Sequence, residues 1–172
     1  MGVFALVVSV FALVLVGCGA SAKPRHAAPP PSSQADRMKA VVRAWEANMN
    51  AGNNAAEVRL FSLPALISLL AGPYGCTCTT PGEVVQFHAR LLCSAKIVSI
   101  EVRGRYATGV FRLLGDRETS KCDEPPGSLT AARFTIVRGK ITAMEQTWFK
   151  RPGGPVFRSR ALARWPPGPP RR

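Results

Sequence analysis

The sequence predicts an α+β domain, and three observations predict it. The first half carries apolar residues at the spacing of buried helical faces, the period changes to two after about residue 97, and hairpin-type turns punctuate the second half. Helices followed by antiparallel strands pack as helices on one face of a curved sheet.

From Met38 to Met49 the large apolar residues are Met38, Val41, Val42, Trp45 and Met49, the i, i+3, i+4, i+7 pattern of one helical face. Gly52 closes this helix. Asn54 with Glu57 three residues later has the capping pattern of a second, short helix through Val58, Leu60 and Phe61, which Leu63-Pro64 ends because the residue before proline is driven out of the α region. Ala65 to Leu70 is a short apolar run that fits either a strand or a buried helical segment, and 71–78 is turn-rich. Thr80-Pro81-Gly82-Glu83 starts a third helix, with Thr as N-cap, Pro at the first position and Glu at the third. It runs to about Leu92 and buries Val84, Phe87, His88 and Leu91.

The strand half begins where Val98, Ile100 and Val102 alternate with Ser99, Glu101 and Arg103. Gly104-Arg105 turns the chain and Tyr106 to Leu114 returns. Gly115 to Ser128 is a polar connection. Leu129–Val137 and Ile141–Phe149 form the last hairpin, with Arg138-Gly139 at its tip. Three helices and then four antiparallel strands are expected.

Ahead of the domain, Val3 to Val16 is apolar apart from Ser9, a run of 14 residues. That is short of the roughly 20 a spanning helix needs and matches the apolar region of a secretory signal. Leu15-Val16-Gly17-Cys18 then resembles the lipobox of bacterial lipoprotein signal peptides. The resemblance implies cleavage before Cys18 and a diacylglycerol, with palmitate among its acyl chains, on the Cys18 thiol. The chain divides into a signal peptide (1–17), a Pro/Ala-rich tether (18–35), a domain (36–150) and a basic tail (151–172) whose six Arg, six Pro and three Gly read as disordered. The expected location is the extracytoplasmic face of the cell membrane.

The net charge of +13 is uneven: residues 36–150 hold fifteen basic and ten acidic side chains, whereas the tail adds six Arg and no acid. Interspersed charge on a lipid-anchored protein argues against nucleic acid as the partner. An anionic membrane or wall polymer is a better match for the tail.

Within 36–150 the chain resembles the nuclear transport factor 2-like, or SnoaL-like, superfamily. The resemblance rests on Trp45-Glu46-Ala47-Asn48-Met49-Asn50-Ala51-Gly52-Asn53 at the end of the first helix, on Leu60-Phe61, and on the hairpin Phe134-Thr135-Ile136-Val137-Arg138-Gly139-Lys140-Ile141. It implies a cone-shaped curved antiparallel sheet against three helices, open at one end to a small apolar molecule. Members include ketosteroid isomerase and polyketide cyclases as well as proteins that only bind, so the fold leaves function open. The isomerase's chemistry needs a carboxylate base after helix two and a tyrosine on helix one. Here those places hold Ala65-Leu66-Ile67-Ser68-Leu69-Leu70 and Ala44-Trp45.

His88 with Glu101 or Glu145 is the acid–base arrangement the sequence leaves, because His26 lies in the tether. Trp45, His88, Tyr106 and Trp148 are the candidate pocket residues. No phosphate loop, nucleophile motif or metal-ligand spacing is present, so no cofactor and no metal is expected. The expected function is binding, of a small apolar ligand or an envelope protein; the alternative is a SnoaL-like or ketosteroid-isomerase-like enzyme using His88. A His–carboxylate pair lining the pocket would favour catalysis.

Four cysteines remain after Cys18: Cys76, Cys78, Cys93 and Cys122. An even number in an exported chain reads as disulfides, and Cys-x-Cys with distant singles lacks the paired knuckles of a zinc site. Three pairings are possible. Cys93–Cys122 is favoured because Cys76 and Cys78 can serve one another.

Overall fold

Ser33 opens the first helix, its hydroxyl accepting the Asp36 amide at 3.1 Å. In the computed structural model the described residues are 33–70, 75–117 and 120–158. The signal segment with Cys18, most of the tether and the tail beyond Arg158 lie outside them. Helix α1 (Gln34–Asn50) buries Met38, Val42, Trp45 and Met49, the face its spacing predicts. Helix α2 (Asn54–Val58) is capped by Asn53, not Asn54. That shift of one residue takes Glu57 off the cap and turns it inward, where it is 1% exposed.

Strand β1 (Phe61–Ser68) follows at once, so Phe61 begins a strand instead of ending a helix. Pro64 sits inside the strand, behind a cis Leu63-Pro64 bond and within a register break between Phe61 and Leu66. The turn-rich stretch ends in strand β2 (Gly75–Cys78). Helix α3 (Pro81–His88) has the predicted capping box between Thr80 and Glu83 but stops at His88. Long strands β3 (Cys93–Arg103), β4 (Tyr106–Asp116), β5 (Leu129–Val137) and β6 (Lys140–Lys150) follow, and β7 (Val156–Arg158) comes from the stretch assigned to the tail.

The sheet order is β2-β1-β6-β5-β4-β3, with β7 on β6. It is mixed, with seven strands where the sequence pattern predicts four: β1 runs parallel to β6, and every other pairing is antiparallel. The curved sheet and the helices enclose one core that joins Met38, Val42, Trp45 and Met49 to Phe61, Ile67, Val84, Phe87, Phe111, Phe134, Ile141 and Met144.

Bulges on β3 and β6 decide which side chains face that core. One lies between Ile97 and Ser99 on β3 and leaves Val98 outside, 52% exposed, while Ile97, Ile100 and Val102 pack inward. Two lie on β6: Thr142 is extra where Thr135 pairs with Ala143 but Ile136 with Ile141, and Thr147 is extra where Ala131 pairs with Trp148 but Ala132 with Gln146. Each extra residue reverses the alternation, so Ile141, Met144 and Phe149 all face inward.

Gly109 lets the sheet approach α1 closely. A Cβ there would stand 2.6 Å from Cζ of Phe111 and 3.4 Å from Val42, and Phe111 is held edge-on to Trp45 and Phe134. Gly109→Ala is therefore expected to lower stability by about 1–3 kcal/mol through overpacking. Chemical denaturation measures it.

Candidate functional site

Each of the three helices and the end of β4 sends one polar side chain into the core. Trp45 (α1), Glu57 (α2), His88 (α3) and Arg117, one residue past β4, are all under a tenth exposed. The His88 ring sits against Phe61 and Phe87, with centroids 5.4 and 5.7 Å away. Its Nδ1 lies 3.0 Å from the carbonyl of Val84, which places a proton on Nδ1 and leaves Nε2 bare. Nε2 accepts the indole N–H of Trp45 at 3.1 Å.

Glu57 Oε1 lies 3.3 Å from the same Nε2, and neither oxygen of the carboxyl has a hydrogen-bond partner among the described residues. An ionised carboxylate facing a bare nitrogen would be repelled and unsolvated. The neutral acid removes the repulsion and carries no charge to desolvate. Burial pushes the Glu57 carboxyl up to about 8, against the opposing pull of Arg117. Burial likewise lowers the His88 imidazole to about 4; the Val84 carbonyl opposes that shift and the charge of Arg117 adds to it. The pair is neutral near pH 7. Arg117 Nη1 donates to the carbonyls of His88 and Leu91 at 3.2 and 2.6 Å, capping the C-terminal end of α3 with a cation.

The carboxylate beside His88 is thus Glu57, not Glu101 or Glu145. Glu101 is exposed and paired with Arg103 at 2.6 Å. Glu145 pairs with Arg133 at 2.8 Å.

A cavity of about 930 Å³ lies on the other side of Trp45. Its inner wall is Trp45, Met49, Phe111, Leu113, Ala132 and Met144, and Leu69, Leu91, Phe149 and Phe157 continue it outward. Its central polar groups satisfy one another: Gln146 accepts the Leu70 amide at 3.0 Å and donates to the Thr130 hydroxyl at 2.8 Å. Arg90, Asp123, Glu124 and Arg151 stand at the mouth, where Arg151 and Glu124 form a two-bond ion pair of 2.8 and 3.0 Å.

Of the four candidate pocket residues, Trp45 alone lines this cavity. His88 is sealed behind it. Tyr106 faces out because β4 turns Ala107, Gly109, Phe111 and Leu113 inward. Trp148 is carried to the outer face by the bulge at Thr147, which brings in Phe149. Strict alternation from Ile141 also reaches Phe149, because the bulges at Thr142 and Thr147 cancel, but it misses Met144 and Gln146 between them. Glu57 is visible in the sequence as a carboxylate, but its spacing from Asn54 gives it the look of a cap.

The cysteines pair as Cys93–Cys122 and Cys76–Cys78, with Cα atoms 4.4 and 5.1 Å apart. Cys93 lines the cavity, so the first bond ties the wall to the loop that carries Asp123 and Glu124. Arg117 and Ser120, which donates to the Leu92 carbonyl at 2.8 Å, hold the start of that loop against the segment between α3 and β3. Among the described residues no helix is long and apolar enough to cross a membrane, and no three His, Cys, Asp or Glu side chains cluster as metal ligands.

No family model and no curated protein matches the chain. Solved structures do match in fold. A nuclear transport factor 2-like protein of unknown function from Burkholderia xenovorans LB400 is 13% identical with a TM-score of 0.53, the match covering 68% of this chain and 85% of that one. A hypothetical protein with a ketosteroid isomerase-like fold from Catenulispora acidiphila DSM 44928, solved in complex with trimethylamine, is 20% identical with a TM-score of 0.51, over 62% and 82%. A de novo designed protein with a curved β-sheet is 14% identical with a TM-score of 0.51, over 66% and 85%. The described domain therefore has the nuclear transport factor 2-like, ketosteroid-isomerase-like α+β fold.

Proposed function

We propose that this is an extracytoplasmic lipoprotein, held to the membrane through Cys18, whose domain binds a small apolar ligand in its cavity. One observation carries the binding reading. The His88–Glu57 pair, the arrangement that acid–base chemistry would need, is 1% exposed on both sides and lies behind Trp45, whereas the inner wall of the cavity is apolar and its Gln146 and Thr130 are hydrogen-bonded to each other. A general acid or base must come within hydrogen-bond reach of the substrate. An apolar cleft of several hundred Å³ with a few oriented polar groups is the usual form of a small-molecule site. The lipobox-like Leu15 to Cys18 and the pairing of all four remaining cysteines support the extracytoplasmic setting.

A neutral apolar dye, N-phenyl-1-naphthylamine, tests the site, since its fluorescence rises in a dry pocket. Ala132→Leu projects a larger side chain into the cavity from β5 and is expected to weaken dye binding at least tenfold with little change in stability. Equal binding by wild type and variant would place the dye elsewhere and contradict the reading.

A further inference from the structure

Strands β3 to β6 are long, and their two ends differ in charge. One end is the cavity mouth. The opposite end, about 35 Å away along β4 at the usual strand rise, gathers the hairpin tips. The Ile136 amide donates to the Arg105 carbonyl at 2.9 Å, so the β3–β4 and β5–β6 turns are neighbours. Lys140 Nζ donates to the Arg59 carbonyl, which brings in the α2–β1 corner. Gln34, Arg37 and Met38 of α1 line a small cleft with Ile136, Arg138 and Gly139, which brings in the start of α1.

This end therefore presents Arg37, Arg59, Arg103, Arg105, Arg138 and Lys140, all exposed, against two acids, Asp36 and Glu101. Val137, 43% exposed, stands among them at the tip of the β5–β6 hairpin. The chain also enters the described domain here, at Ser33. Only 14 residues separate Ser33 from Cys18, a reach of at most about 50 Å. That reach permits either end to meet a bilayer; the hairpin end has the larger cationic excess, six against two acids, where the mouth end has Arg90, Lys121, Lys150 and Arg151 against Asp116, Asp123 and Glu124.

We propose that the basic end formed by Arg37, Arg59, the two hairpin tips and Lys140 docks on an anionic lipid bilayer, with the cavity mouth turned away toward the water. The orientation rests on the lipid-anchor reading, but the lipid affinity of the surface does not. An anchor alone would leave the domain free to rotate. Six cations at the entry of the tether hold it with one face down, and ligand then reaches the cavity from the aqueous side.

The test uses the full chain with Cys18→Ala, so that no lipid is attached, and vesicles of phosphatidylcholine with or without 30% phosphatidylglycerol. The ratio of the two affinities is the readout, because the apolar N-terminus contributes equally to both. Each cation near an anionic surface counts for roughly fivefold. The triple variant Arg103→Gln/Arg105→Gln/Arg138→Gln is expected to lower the ratio at least tenfold, with an unchanged melting temperature. A variant carrying Gln at Arg158, Arg160 and Arg164 in the tail is expected to change it much less. A ratio kept within twofold by the triple variant, or abolished by the tail variant alone, overturns the proposal, as does tighter binding to soluble polyphosphate than to vesicles of equal charge. Lipidation is read separately, by the mass of wild-type protein, so loss of the anchor reading would leave the ratio interpretable.

Discussion

Glu57→Gln is expected to make the protein more stable at pH 8, by on the order of 2–4 kcal/mol, and to leave it almost unchanged at pH 4.5. Glu57 has no hydrogen-bond donor among the described residues, and burial raises its carboxyl from 4.5 to about 8. An acid whose folded pKa lies above its unfolded value keeps its proton in the native state after the unfolded chain has lost it. Its contribution is complete below about pH 4.5 and drains away as pH rises to about 8. Glutamine mimics the neutral acid and never carries a charge into the core. His88 works in the opposite direction. Its imidazole falls from 6.5 to about 4, so its contribution is complete above about pH 6.5 and is lost as pH falls through 4. Urea denaturation of wild type and variant across pH 4–8.5 measures both arms. A variant less stable than wild type at pH 8 would show that Glu57 is ionised and holds a charge pair.

The second large effect is expected at the Cys93–Cys122 disulfide, which closes a loop with a sequence separation of 29. By chain entropy, removing it with Cys93→Ala/Cys122→Ala costs roughly 3–4 kcal/mol, or about 10–15 °C in melting temperature for a domain of this size. Ligand affinity is expected to fall as well, because the loop after Cys122 carries Asp123 and Glu124 to the cavity mouth. Calorimetry and dye titration on the same samples test both. A melting temperature within 2 °C of wild type would show that Arg117, Ser120 and the Arg151–Glu124 pair already fix the loop.

Local signals are legible where one element satisfies itself. The buried face of α1, the capping box of Thr80 and Glu83, and the turns at Gly104 and Arg138-Gly139 read directly from the residues. The features that escape such reading depend on partners far along the chain. Strand β1 carries a proline and exists because β6 pairs beside it. Two bulges set by pairing with β5 decide that Met144 and Gln146, of opposite parity to Ile141 and Phe149, also face inward. A one-residue change of cap, from Asn54 to Asn53, separates a surface Glu57 from the buried partner of His88. Helical periodicity alone orients Trp45 correctly, but its double role, closing the cavity and holding His88, needs the three helices together.

Native mass spectrometry of the protein purified from its own host, beside Ala132→Leu prepared in the same way, decides whether the cavity holds a ligand. The wild type is expected to carry, or to take up from a host lipid extract, a small apolar molecule in one-to-one ratio, and Ala132→Leu is expected not to. Wild-type protein that stays empty in the presence of the extract, or a variant that binds equally, would contradict the binding reading.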